Sequence, residues 1–65
     1  MIARGNAESK FYVDVEHGDV FEEGVDGLFI LKRIDGKKER VPVEEIPSEA
    51  QLLFGNVHRI WEYVR

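Results

Sequence analysis

In "KFYVDVE" Phe11, Val13 and Val15 alternate with Tyr12, Asp14 and Glu16. Successive side chains of a strand point to opposite faces, so this period of two predicts a strand with one buried face. Gly18, after His17, supplies a turn. The stretch "DVFEEG" then reads as a second, more polar strand ending at Gly24 and held by Val20 or Phe21.

The sharpest local pattern lies in "GLFILKRIDGKKERVPVEE", where Asp35-Gly36 separates two β-rich runs. Asp-Gly at that place predicts a two-residue type I′ hairpin, because both central positions need a positive φ. Such a turn sets the register. Ile34 faces Lys37, Lys32 faces Glu39, Ile30 faces Val41 and Leu28 faces Val43, placing two apolar pairs and one opposite-charge pair on a single face. The other face then pairs Arg33 with Lys38, Leu31 with Arg40 and Phe29 with Pro42. Pro42 has no backbone donor, so its strand is an edge or is ending there.

Beyond Pro47 the period changes. In "SEAQLLFGNVHRIWEYV" Ser48 and Gln51 form a capping box, and Leu53, Val57, Ile60, Trp61 and Val64 fall on one stripe at helical spacing. This predicts an amphipathic helix over about 49–64. A competing reading ends a short helix at Phe54, with Gly55 just past its end, and makes "VHRIWEYVR" a strand rich in Val, Ile, Trp and Tyr. The first reading yields an α+β fold, a small antiparallel β-meander of three to four strands with a C-terminal helix packed on one face. The second yields an SH3-like β-barrel with the last segment as a strand.

Size limits what such a fold can do. A chain of 65 residues is one domain that buries roughly 60% of its unfolded surface, which leaves little room for a deep cleft. Cysteine is absent, which excludes disulfides, thiolate metal sites and thiol nucleophiles. Residues 1–9 lack periodicity and are expected to be a flexible end. The opening "MIARGNAESK" has no apolar run after its basic residue, and no stretch approaches a membrane span, so a soluble, cytoplasmic protein is expected.

Candidate chemistry is sparse. Residues 13–26, "VDVEHGDVFEEGVD", hold six carboxylates and one histidine, Asp14, Glu16, His17, Asp19, Glu22, Glu23 and Asp26. An EF-hand needs ligands at alternate loop positions around a central glycine, a pattern that Val20 and Phe21 interrupt and that Gly18 and Gly24 do not fit. Zinc would need more nitrogen ligands than His17 and His58 supply. Two solvated acidic turns around a strand are expected, with no metal or other cofactor. Ser9 lies in the terminus, Ser48 is a helix cap and no glycine-rich phosphate loop is present, so neither an enzyme nor a small-molecule substrate is expected.

Charge is nevertheless segregated. Residues 14–26 carry −6, residues 32–40 carry +3, and Glu44, Glu45 and Glu49 add −3, within a formal net charge of −4. Opposite blocks on one small molecule suit pairing with a second copy, because complementary potentials fix orientation. The helical reading leaves Leu52, Phe54, Trp61 and Tyr63 at or beyond the margin of the apolar stripe, and they are the candidate protein contacts. Trp61 is also the largest side chain available to fill so small a core. The expected role is a non-enzymatic protein-interaction module, a homodimer or a subunit of a larger assembly. The alternative is a nucleic-acid binder using the hairpin of residues 29–40, with Phe29 to stack on a base and Arg33, Lys38 and Arg40 to meet phosphates. The net negative charge opposes that alternative and affinity for anionic membranes alike.

Overall fold

In the computed structural model residues 9–65 are described, so the terminal segment expected to be flexible falls, apart from Ser9, outside the described residues. The alternation at Phe11 becomes β1 (Lys10–Asp14) and the polar run beside it β2 (Asp19–Gly24); the Asp-Gly hairpin joins β3 (Gly27–Ile34) to β4 (Lys37–Pro42). All of these neighbours pair antiparallel. The hairpin register is the one that the turn dictates, from Ile34 opposite Lys37 to Phe29 opposite Pro42. Val43 N–H donates to the Leu28 carbonyl at 3.0 Å, which extends that register by one more pair. Asp35 and Gly36 both have positive φ, 55° and 79°, as a type I′ turn demands.

The helix expected over 49–64 does not form as one element. Residues Gln51–Leu53 are β5, which pairs antiparallel with β1, and the helix α1 is confined to Val57–Trp61. The capping box at Ser48 starts no helix; Asn56 is the N-cap instead, its side-chain oxygen accepting from Arg59 N–H at 3.0 Å. The competing reading is corrected as well, since strand precedes helix rather than the reverse. Gly55, at φ 145°, makes the corner between them. Past Trp61 the chain tightens into three successive i→i−3 bonds ending at Val64, so the helical spacing of Ile60, Trp61 and Val64 survives in a much shorter element.

The strand order is β4-β3-β2-β1-β5, a five-stranded antiparallel sheet with β4 and β5 as its edges and a short C-terminal helix: a small β-rich fold. Among the described residues no helix is long and apolar enough to cross a membrane. Phe11, Val20 and Leu31 face Ile60, Trp61 and Val64 in the core, with Val13 and Leu53 packed against them. Val57, on the expected core stripe, is 44% exposed instead. The helix packs on the hairpin face that carries Leu31, Arg33, Lys38 and Arg40, rather than on the face with the two apolar pairs. On that second face the segment 43–50 crosses from β4 toward β5, passing over Tyr12, Glu23 and Leu28. Val20 and Phe21, adjacent in β2, are consequently both buried, one under the helix and one on the opposite face.

Candidate functional site

The registers bring five apolar side chains from separate parts of the chain into one row. Leu52 lies opposite Tyr12, Tyr12 opposite Phe21, Phe21 opposite Ile30 and Ile30 opposite Val41, which spans all five strands on the face away from α1. Phe21 at its centre is buried, whereas Leu52 and Val41 at its ends are 48% and 38% exposed. Charged side chains flank the row toward the hairpin tip, where Asp14 pairs with Asp19 and Lys32 with Glu39. Lys32 Nζ approaches Asp19 Oδ1 at 3.8 Å.

On the other side of the row, between the sheet and the segment 43–50, lies an open groove of about 340 Å³. Tyr12, Leu28, Ile46, Pro47 and Ala50 give it an apolar lining, and Glu23, Glu44 and Glu45 surround it with carboxylates. The Tyr12 phenol donates to Glu23 Oε1 at 3.0 Å, and that bond pushes the phenol pKa up. Tyr12 therefore holds Glu23 as a protonated donor. An apolar trough rimmed by carboxylates suits a side chain with an aliphatic stem and a cationic head.

The acidic stretch of residues 14–26 is divided by the sheet. Asp14 is nearly buried beside the β1–β2 turn; Oδ1 accepts from the N–H groups of Glu16 and His17, and Oδ2 lies 2.8 Å from His17 Nδ1. This hydrogen bond lowers the Asp14 pKa and raises that of His17, with their opposite charges acting in the same direction. Glu22 points to the helix face, where Ser9 and Arg40 donate to it at 3.0 and 2.8 Å. Glu23 points to the groove. Among the described residues no three His, Asp or Glu side chains converge as a group that could hold a cation.

The four nucleic-acid candidates do share one face, but their polar groups are engaged within the molecule. Arg33 donates to the carbonyls of Trp61 and Val64 at 2.8 and 3.2 Å, holding the end of the helical segment against the sheet. Lys38 lies 5.8 Å from the centre of the Trp61 ring. The Arg40 guanidinium stacks 4.1 Å from the centre of the Phe29 ring and also pairs with Glu22 and Asp26. Burial works against the Arg40 charge, but those two carboxylates outweigh it and raise its pKa.

Of the four protein-contact candidates, Trp61 is only 8% exposed and belongs to the core, whereas Phe54 at 83%, Tyr63 at 51% and Leu52 stand out from the surface. Leu52 and Phe54 flank the last residue of β5. Residue-by-residue reading did not find the row or the groove, because both depend on β5 returning to β1, and only the hairpin part of the row is written in local turn chemistry. No family model, curated protein or solved structure matches the chain.

Proposed function

We propose that this protein is a small non-enzymatic interaction module that associates with a second copy of itself. The observation that carries the reading is Phe54, a large aromatic side chain 83% exposed at the end of an edge strand, with Leu52 and Val57 also half-exposed within a few residues. Exposed apolar groups gathered at one edge gain more from burial against a partner than from water, and aromatic residues are frequent anchors of such contacts. In fold terms we place the module at the β-rich end of the α+β layout, the short helix serving to close one face of the sheet. A protein partner accounts for these features better than nucleic acid does, since Arg33 and Arg40 already donate to internal acceptors and Arg40 covers one face of Phe29.

Sedimentation equilibrium over a range of concentrations tests the reading directly. The wild type should self-associate, and Phe54→Glu should weaken that association while leaving the circular dichroism and melting curve of the domain unchanged. A wild type that stays monomeric throughout would refute self-association. A Phe54→Glu variant that associates as tightly as wild type would remove Phe54 from the contact.

A further inference from the structure

The groove lies at one end of the sheet, beside the β2–β3 turn, and the β3–β4 hairpin tip lies at the other. This follows from the registers, since Glu23 and Leu28 pair next to the Gly24–Gly27 turn while Ile34 and Lys37 close the opposite end of the same ladder. The end with the groove is acidic through Glu23, Glu44 and Glu45. The hairpin end presents Lys32 and Lys37 on the same face, with Ile34 48% exposed beside Lys37. Between the two runs the apolar row from Leu52 to Val41.

These features have the symmetry of a face that pairs with itself. A two-fold axis laid along the apolar row turns one copy face down on another and reverses its strand direction, so the hairpin tip of each copy reaches the groove of its partner. Apolar row then meets apolar row at the centre. At both ends the tip brings a lysine with an aliphatic neighbour to a trough that offers apolar walls and carboxylates.

On this basis, and resting on the self-association proposed above, we propose that the two copies form a symmetric face-to-face dimer in which the Ile34–Lys37 tip of one seats in the Tyr12–Leu28–Ile46 groove of the other, Lys37 meeting Glu44 and Glu45. Both charge blocks acquire a role in it. The acidic end that repels a like copy in parallel alignment attracts it in the antiparallel one, which fixes orientation as well as partner. Phe54 follows Leu53, which pairs with Phe11 near the groove end, so it lies at the margin of the same contact.

Two charge-reversal variants test the arrangement in the full chain. Lys37→Glu changes only the tip and Glu44→Lys/Glu45→Lys only the groove; all three positions are exposed, so a two-dimensional NMR spectrum should show the fold retained in both. Each variant alone should associate about tenfold or more weakly than wild type, because both of its symmetric contacts become repulsive. A 1:1 mixture should recover association. In the mixed pair the reversed tip meets the reversed groove, and the native tip meets the native groove. A wild type that associates while the variants behave like it, or variants whose mixture stays as weak as each alone, would overturn the tip-in-groove contact and leave self-association standing. A monomeric wild type at every concentration would overturn both.

Discussion

Asp14 shows how one side chain can hold a turn together. Its carboxylate accepts from two backbone N–H groups and from the His17 ring, and its own carbonyl accepts from Gly18 N–H at 2.7 Å. It also faces Asp19 across the β1–β2 ladder, a like-charge pairing that a protonated His17 offsets. The His17 pKa is raised above its ordinary 6.5, so the stabilisation it adds is fully present below about that pH and is lost as pH rises through the higher folded value. Asp14 is lowered below its ordinary 3.8, so its part is present above that pH and is lost as pH falls through the lower folded value. The turn should therefore be tightest between these two limits. In an NMR titration the His17 ring should titrate above the ordinary histidine value, and Asp14→Asn should abolish that elevation. A His17 titration unchanged by Asp14→Asn would show that the pair does not form in solution. Both residues were visible as part of an acidic stretch, but only the turn geometry separates a locally paired Asp-His from a candidate metal site.

At the scale of elements, local chemistry accounted for the parts that local chemistry controls. The Asp35-Gly36 turn fixes six pairs across β3 and β4, and Gly24 ends β2 because the next two residues turn the chain. The C-terminal segment was misjudged for an equally physical reason. Ser48 and Gln51 match a helix start, yet β1 has a second side whose backbone groups need partners, and Gln51–Leu53 satisfy them. Tertiary pairing overrides a cap signal worth about 1 kcal/mol. The apolar spacing of Ile60, Trp61 and Val64 was legible, but it serves a single helical turn and its 3₁₀ extension rather than a sixteen-residue helix. So short an element has little stability of its own and depends on its cap and on the Arg33 clamp on its last carbonyls. Asn56→Ala should accordingly cost about 1 kcal/mol in urea denaturation with the m-value unchanged. A variant as stable as wild type would mean that core packing alone holds α1 in place.

For the whole molecule, the unusual feature is how much of the core comes from the last few residues. Sheet and helix each contribute three side chains to the core cluster, Phe11, Val20 and Leu31 against Ile60, Trp61 and Val64. In a chain near the lower size limit for independent folding, neither half can bury its apolar surface without the other. The opposite face offers no substitute, since its row is buried only at Phe21 and the segment 43–50 covers only one end. Removing residues 55–65 should therefore abolish cooperative folding rather than lower stability by a fraction. The truncated chain would keep the Asp-Gly hairpin as a local preference while exposing Val20 and Leu31 to water. It should show no sigmoidal urea transition and a collapsed spread of amide proton shifts, whereas wild type shows both the transition and the spread. If the truncated chain still unfolded cooperatively, the sheet would have to be stabilised from its other face, and association through the apolar row would be the natural source. Repeating the measurement across protein concentrations separates the two cases, because a dimer-stabilised sheet shifts its midpoint with concentration and an autonomous one does not.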